Sequence, residues 1–148
     1  TFVLGATTPS YDLETEVDQT FNIENLTKEK IESNTDLFTG DIEQAPPVFS
    51  ALKKDGVRLY EYARKGIEVE VKKRNVHVRL FEITRIELPE VDFKIACSKG
   101  TYIRSIAHDF GKSLENGAHL SKLTRTKIGA FQLEEAIDLD DFENMIAI

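Results

Sequence analysis

The stretch Cys97-Ser-Lys-Gly-Thr-Tyr-Ile-Arg104 decides the fold of this chain, because it joins an apolar strand to an amphipathic helix through a glycine turn. Before it, apolar residues alternate with polar ones at the period of two that is typical of a half-buried strand, at Val91, Phe93, Ile95 and Cys97. After it, apolar residues recur at helical spacing, at Ile103, Ile106, Ala107, Phe110 and Leu114. We therefore expect a strand, a turn and a helix, with Cys97 in the core and Thr101 capping the helix.

This junction has the features of a site that binds an anion. The first turn of a helix presents free backbone N–H groups and a positive dipole end, and Arg104 adds a planar fork of donors there. A carboxylate or a phosphate would be bound well by this combination. The alternative is an arginine that pairs with a purely structural carboxylate, which is the commoner case for a lone charged group.

Three further blocks of sequence bear on that choice, because together with the junction itself they occur in one order with compatible spacing. The blocks are Gln44-Ala-Pro-Pro-Val-Phe-Ser-Ala-Leu-Lys53, Leu59-Tyr-Glu-Tyr-Ala-Arg-Lys-Gly66, Ser98-Lys-Gly-Thr-Tyr-Ile-Arg104, and Gly117-Ala-His-Leu120 followed by Leu123-Thr-Arg125. Together they resemble the B-type tRNA pseudouridine synthases, which isomerise the uridine of the TΨC loop of tRNA. The resemblance runs from about Leu4 to Phe131.

The resemblance implies roles for individual residues, and we predict Arg104, Tyr102 and Leu123 as residues of the catalytic site. Arg104 matches the family's arginine that pairs with a nucleophilic aspartate, and Leu123 matches an apolar position that walls the uracil site. Tyr102 would either line the pocket or pack beside the start of the helix. Asp12 matches an acidic position in a loop at the mouth of the active site, although Thr7–Ser10 departs from the commoner Thr-Asp-Thr spelling.

The family's nucleophile is missing from these residues. It is an aspartate in a Gly-x-Leu-Asp-Pro-type motif upstream of the matching region, and no similar stretch occurs here. The family's active-site tyrosine would fall just before Thr1, and the chain opens in an apolar run, Phe2–Leu4. We expect residues 1–148 to be the C-terminal portion of a pseudouridine synthase catalytic domain, without a complete second domain and inactive alone.

The charge of the chain is segregated along its length. Its net charge is −7, with ten acidic and two basic residues in 1–52 and six acidic and no basic residues in 132–148, yet residues 53–131 hold seventeen bases against ten acids. Basic residues interleaved with aromatic ones suit a phosphate backbone and exposed bases, although a charge run can also be a solvated surface. The predicted RNA-binding residues are Lys53, Lys54, Arg58, Tyr60, Arg64, Lys99 and Arg125.

The resemblance and the composition together predict the partners. The family works without a cofactor, and His77, His108 and His119 have no metal-ligand spacing among themselves or with Cys97, so we expect no metal. One cysteine cannot form an internal disulfide, and no apolar run has membrane-spanning length, which favours a cytoplasmic protein that contacts no membrane. We expect tRNA as the partner and a monomeric parent protein.

The pattern of the whole chain predicts an α+β domain with a mixed, largely antiparallel sheet and a few flanking helices. The resemblance implies a partial pseudouridine synthase fold, which is of that kind. Predicted strands are Phe2–Leu4, Thr15–Phe21, Ile67–Lys72, Val76–Leu88 and His119–Phe131, with a loop over Gly5–Asp12. Predicted helices run from Thr27 to about Phe38, over Arg58–Lys65 to Gly66, and from Asp138 through Ile146. In Val76–Leu88 we expect the core to take Val76, Val78, Leu80, Ile83, Ile86 and Leu88, with a bulge near Phe81.

Two other functions stay open from the sequence alone. The chain could be an RNA-binding module without catalysis, which would share the basic middle but would not need Arg104 in a pocket. It could also be a small-molecule phosphate site of a metabolic enzyme, although no Walker or dinucleotide glycine pattern is present.

Overall fold

The computed structural model describes residues 1–147. Within that range the strands are β1 (Phe2–Leu4), β2 (Ala6–Thr7), β3 (Gln19–Thr20), β4 (Gly40–Gln44), β5 (Lys53–Lys54), β6 (Val57–Arg58), β7 (Arg74–Glu87), β8 (Glu90–Cys97), β9 (Ala118–Leu120), β10 (Lys127–Ile128) and β11 (Phe131–Gln132). The α-helices are α1 (Lys28–Ser33), α2 (Leu59–Arg64), α3 (Ile103–Ser113) and α4 (Leu139–Ile146), and 3-10 turns span Asn34–Phe38 and Leu133–Glu135.

The main sheet has five strands in the order β4-β7-β8-β1-β9, and every pairing is antiparallel. The long hairpin of β7 and β8 forms its centre, and β1 lies between β8 and β9. Three two-stranded ribbons, β2–β3, β5–β6 and β10–β11, extend from this frame. The predicted α+β class with a largely antiparallel sheet is therefore confirmed.

Helix α3 is part of the core, and its apolar stripe is buried as the spacing predicts. Phe110 and Ala107 are 0% exposed and Ile106 is 1% exposed. The ring of Phe110 lies in a cluster of aromatic rings whose centroids are 4.2 to 6.4 Å apart. Each fully buried phenylalanine contributes about 1.5–3 kcal/mol by removing apolar surface from water. The same helix can approach the sheet closely because residue 111 is glycine: a Cβ there would lie 2.4 Å from the backbone nitrogen of Ala118.

The phase of β7 changes as predicted, but at two places, and this changes which residues are buried. Its pairing with β8 shifts between Val78 and Leu80 and again between Ile83 and Arg85. The first shift puts Phe81 into the core at 7% exposure and leaves Leu80 37% exposed, so the prediction that Leu80 is buried was wrong. Leu88 is also exposed, at 36%, because it lies beyond the end of the strand.

Two predictions at the strand–turn–helix junction were wrong. Cys97 is exposed rather than buried, because it is the last residue of β8, where the chain leaves the sheet for the glycine turn. The residue at the N-cap of α3 is Tyr102, not Thr101. The Thr101 hydroxyl instead donates to the carbonyl of Ser98 at 2.8 Å and so stabilises the turn around Gly100, whose φ is +81°.

Three predicted strands are shorter or absent because extended backbone pairs only where a neighbouring strand is available. Of Thr15–Phe21 only β3 forms, and Ile67–Lys72 contains no strand. His119–Phe131 is interrupted, with β9 ending at Leu120 and β10 beginning at Lys127. The predicted loop Gly5–Asp12 contains the short strand β2, which pairs with β3.

The predicted caps of the first and last helices are confirmed. The Thr27 hydroxyl accepts from the backbone N–H of Lys30 at 3.2 Å, and the Asp138 carboxylate accepts from that of Asp141 at 3.0 Å. The last part of the chain projects from the core, since residues 122–147 are exposed throughout. Among residues 1–147, the helices are all too short or too polar to cross a membrane.

Candidate functional site

Arg104 lies in the first turn of α3, and its side chain is only 21% exposed. Its Nη1 donates to the Asp12 carboxylate at 3.2 Å and to the carbonyl of Ser10 at 3.4 Å, and its Nη2 donates to the carbonyl of Phe49 at 3.0 Å. These contacts use three of the five N–H groups of a guanidinium. Within residues 1–147, two N–H groups therefore stay available to an incoming anion.

The loop that carries Asp12 is held by its own hydrogen bonds. One Asp12 carboxylate oxygen accepts from the Ser10 hydroxyl at 2.6 Å and from the backbone N–H of Glu14 at 3.0 Å, while the other faces Arg104. The Ser10 hydroxyl also lies 2.8 Å from the hydroxyl of Thr15, and the Thr8 hydroxyl donates to the Asp12 carbonyl at 2.6 Å. The carboxylate thus has a fixed direction before any ligand is present.

Gln44 is a site residue that the sequence analysis did not single out. It is 2% exposed, and its amide oxygen accepts from the backbone N–H of Tyr102 at 2.7 Å while its amide nitrogen donates to the Tyr102 carbonyl at 3.4 Å. Beside it, the Ser105 hydroxyl donates to the carbonyl of Ala45 at 2.7 Å. Gln44 therefore fixes the start of α3, two residues before Arg104. Its position at the head of the block that runs to Lys53 was the available signal.

Tyr102 and Leu123, the other predicted catalytic residues, have different surroundings. Tyr102 is half-buried and its backbone is fixed by Gln44. Leu123 is 60% exposed in the irregular segment after β9, where its side chain is accessible to another part of a larger protein or to a ligand. Lys99 and Arg125 are also exposed, in the glycine turn and after Leu123 respectively.

The predicted RNA-binding residues of the middle of the chain lie together on the ribbon β5–β6 and on α2. Lys53, Lys54 and Arg58 are exposed. Arg64 stacks over the ring of Tyr60 at 5.1 Å and lies 3.9 Å from the Glu14 carboxylate. A cleft of about 480 Å³ beside the ribbon is lined by four basic residues, one acidic residue and three apolar ones: Lys53, Lys54, Lys72, Arg74, Glu70, Leu52, Leu59 and Val71.

This basic ribbon is connected to the Arg104 site through the segment that precedes it. Arg104 binds the carbonyl of Phe49, and the next residue, Ser50, is 5% exposed with a hydroxyl that has no hydrogen-bond partner among residues 1–147. The Ser50 carbonyl accepts from the backbone N–H of Tyr60 at 3.1 Å, at the start of α2. The guanidinium therefore contacts the Asp12 loop on one side and the root of the ribbon on the other.

A second cleft, of about 550 Å³, lies along α3 and contains charges of both signs, from Asp41, Lys73, Asp109 and Lys112. Burial raises the pKa of Asp109, and burial assisted by the Lys112 ammonium lowers the pKa of His108 from 6.5 to about 4. His108 is therefore neutral at physiological pH. Within residues 1–147, no cluster of three or more histidine, cysteine or acidic side chains has an arrangement that could hold a metal ion.

Comparison with known proteins identifies the family. The model described as TruB family pseudouridylate synthase (N terminal domain) matches residues 1–103, and the model described as tRNA pseudouridylate synthase B C-terminal domain matches residues 104–148. Arg104 is thus the first residue of the second match.

Individual relatives agree with the family models. The chain is 56% identical to tRNA pseudouridine synthase B of Flavobacterium johnsoniae over 146 residues, which are 99% of this chain and 64% of that protein. It is 48% identical to tRNA pseudouridine synthase B of Bacteroides fragilis, covering 99% of this chain and 63% of that protein. The chain therefore spans somewhat less than two thirds of the length of these relatives.

A solved structure shares the fold. A chain in the crystal structure of a Cbf5-Nop10-Gar1 complex superimposes with a TM-score of 0.64 at 33% identity, over 81% of this chain and 32% of the other. Together with the family models, these similarities show that the chain belongs to the TruB family of pseudouridylate synthases.

Proposed function

We propose that the full-length protein containing this chain is a tRNA pseudouridine synthase that isomerises a uridine of the TΨC loop, and that this chain supplies the arginine of the active site. The observation that carries the proposal is Arg104, a mostly buried guanidinium held by Asp12 with two N–H groups left for a second carboxylate. Relatives named tRNA pseudouridine synthase B support the reaction and the RNA class.

The reaction needs a carboxylate that stays ionised and points in one direction. The N1–C1′ bond of uridine breaks, the freed base turns, and C5 bonds to C1′; C5 then loses its proton and N1 gains one, so the atoms balance without a cofactor. The aspartate motif of the family acts on the nucleotide, and the Arg104 guanidinium would bind that aspartate. An adjacent positive charge favours the ionised form of a carboxyl group, and a planar fork holds both oxygens in one plane.

Asp12 has a supporting part in this arrangement. By occupying Nη1 of Arg104 it fixes the plane of the guanidinium, so that the remaining N–H groups present a defined direction to the nucleophile. It also offsets the positive charge of Arg104 while the site is empty. Tyr102 at the start of α3 and the exposed Leu123 would then border the uracil ring in the full-length protein.

The enzyme must also take the uridine out of a folded loop. Flipping a nucleotide costs a few kcal/mol, which contacts to the phosphates and the stacked bases have to offset. The exposed basic side chains of Lys53, Lys54 and Arg58 would hold the RNA backbone on the ribbon β5–β6. Arg64, which stacks on Tyr60 in the adjoining helix α2, would assist them. Lys99 and Arg125 would contact phosphates nearer to the helix start.

Because the family's aspartate motif does not occur in residues 1–148, we propose that these residues alone do not form pseudouridine. They would form the C-terminal portion of the catalytic domain, without a complete second domain. The full-length protein is proposed to be a monomer in the cytoplasm, where its tRNA substrate is processed, and to use neither a cofactor nor a metal.

The test is release of tritium from C5-labelled uridine in an unmodified tRNA transcript, measured with the full-length protein. The proposal predicts one tritium released per tRNA and no release from a matched transcript in which the TΨC-loop uridine is cytidine. Binding of tRNA without release would show an RNA-binding module instead. A protein that neither binds tRNA nor releases tritium would refute the proposal and favour the alternative of a site for a small phosphate-containing molecule.

A further inference from the structure

The loop that presents Asp12 to Arg104 contains an unusual backbone conformation at the preceding residue. Tyr11 has a φ of +65°, in the left-handed region that bulky side chains rarely adopt. Such a conformation persists only when surrounding contacts compensate for its strain. The strained residue therefore points to a contact that holds it, and that contact lies next to the carboxylate of the site.

The contact is a stack of two rings. The Tyr11 ring lies on the imidazole of His108 with 3.9 Å between centroids and 15° between planes. His108 follows Arg104 by one helical turn on α3, so the two side chains lie on the same face of the helix. Helix α3 thus holds the loop at two adjacent places: Arg104 binds Asp12, and His108 packs on Tyr11.

The backbone of Tyr11 is fixed as well as its ring. Its carbonyl accepts from the N–H of Leu120, at the end of β9, at 2.8 Å, and its N–H donates to the carbonyl of Thr8 at 3.1 Å. With the ring and both backbone groups held, the direction in which the chain continues to Asp12 is set. Rotation at Tyr11 would move the Asp12 carboxylate away from Nη1 of Arg104.

The stack works with an uncharged imidazole. Burial, assisted by Lys112, keeps the pKa of His108 near 4, and its Nδ1 is buried without a hydrogen-bond partner in the part of the chain that the structure describes. A histidine placed here for an ion pair or a hydrogen bond would have a partner at that nitrogen. The contribution of His108 is therefore its ring face, which an aromatic hydrocarbon could replace.

We propose that Tyr11 and His108 are positioning residues, whose stacked rings orient the Asp12 carboxylate and through it the guanidinium of Arg104. The effect on catalysis rests on the proposed function, whereas the effect on the orientation of Arg104 does not. Neither residue touches the substrate in this account, so their loss changes the rate of the chemical step and leaves tRNA binding intact.

The experiment uses the full-length protein with four single variants. His108→Leu removes the stack, His108→Phe keeps it, Tyr11→Gly relieves the left-handed strain while removing the ring, and His77→Leu is a matched control at an exposed histidine of β7. Single-turnover pseudouridine formation and the Kd for tRNA are measured for each. We expect His108→Leu and Tyr11→Gly to be about tenfold slower with an unchanged Kd, and His108→Phe and the control to stay within twofold of the wild type.

A double-mutant cycle separates positioning from a general structural effect. In an Asp12→Asn background the His108→Leu change should cost little further rate, because the group that it orients is already altered. Equal losses in both backgrounds, or a Tyr11→Gly protein as fast as the wild type, would overturn the proposal. If His108→Leu does not fold, Tyr11→Leu removes the same stack from the loop side and replaces it in the cycle.

A readout independent of activity keeps this proposal distinct from the function. Rotation of the Arg104 guanidinium, followed by ¹⁵N NMR of its Nη groups, should be faster in His108→Leu than in His108→Phe or the control. Unchanged rotation in His108→Leu would contradict the stack's role. If rotation is faster in His108→Leu but the wild-type protein forms no pseudouridine, the positioning role stands and the proposed pseudouridine synthase function is refuted.

Discussion

The Arg104 site and the basic ribbon that follows Ser50 differ in how tightly they are held. At the site, α3 is anchored by fully buried side chains such as Phe110, and the Asp12 loop is fixed by hydrogen bonds from Ser10 and Arg104. On the ribbon β5–β6 the basic side chains are exposed, and Leu59, at the start of the adjoining helix α2, is buried at 3% exposure. One region has a rigid frame, and the other is mostly charged surface.

This difference matches two different physical tasks. Groups that take part in chemistry must be held within about 0.5 Å of the productive geometry, which needs packing and a full set of hydrogen bonds. Groups that capture a polyanion need charge and reach more than position, because counterion release depends on the number of phosphates neutralised. The two regions contact each other where Arg104 binds the Phe49 carbonyl and where Arg64 of α2 lies near the Glu14 carboxylate.

The largest effect on stability is expected where helix α3 packs most closely against β9. Gly111→Ala would place a Cβ 2.4 Å from the backbone nitrogen of Ala118, so α3 would have to move away from β9. We expect a loss of about 3 kcal/mol or more in the free energy of unfolding of the full-length protein, measured with urea. Lys112→Ala, at the next and exposed residue, is the control and should change stability by less than about 0.5 kcal/mol. A Gly111→Ala protein of normal stability would show that the frame is not tightly packed.

On the ribbon, removing positive charge should weaken tRNA binding, since its basic side chains are exposed and contribute little to packing. Replacing Lys53, Lys54 and Arg58 together with glutamine should make the slope of log affinity against log salt for tRNA shallower by roughly two to three units. The rate of the chemical step on bound tRNA should be unchanged, since none of the three touches the Arg104 site. The matched control replaces three exposed basic residues outside the ribbon with glutamine: Lys28, Arg79 and Lys94. An equal change of slope in both triple variants would place the RNA path outside the ribbon.

A smaller effect is the pH dependence of stability that His108 on helix α3 introduces. His108 has a pKa of about 4 when folded against 6.5 when free, so between these values the unfolded chain binds the proton more readily. Stability should be complete above pH 6.5 and should fall as the pH decreases through this window towards the folded pKa.

The His108→Phe variant isolates this contribution. Asp109, whose pKa is raised by burial, acts in the opposite direction as the pH falls, but it is present in both proteins. The wild type should therefore lose more stability than His108→Phe between pH 7 and pH 5, measured by thermal unfolding at several pH values. Parallel curves would show that the imidazole is free to become protonated in the folded protein.

Sequence patterns predicted the elements whose signals are local. The apolar stripe from Ile103 to Leu114 and the caps at Thr27 and Asp138 depend on neighbours within a few residues, and the structure has all three. The placement of Leu80, Cys97 and Thr101 failed because it depends on a bulge, on the end of a strand and on a distant amide.

The candidate site was predictable only in part, because some of its residues carry a local sequence signal and others do not. Arg104 was singled out by its place in the first turn of the helix and Asp12 by the family resemblance, and the structure brings them to 3.2 Å. Tyr11 and His108 carry no motif of their own, and Gln44 lies in a matching block that assigned it no role. Each of the three acts through a partner far away in the sequence. The exposed Leu123 shows the converse, a position predicted from the family resemblance whose side chain is 60% exposed.

The most direct test of the account compares Arg104→Lys with Arg79→Lys in the full-length protein, measuring single-turnover pseudouridine formation at saturating tRNA together with the Kd. Lysine keeps the charge but loses the planar fork, so we expect Arg104→Lys to be slower by roughly a hundredfold or more with a Kd within about threefold of the wild type. Arg79, exposed on β7, should tolerate the same change in both measurements. Near-normal turnover by Arg104→Lys would contradict the claim that this chain supplies the arginine of the active site.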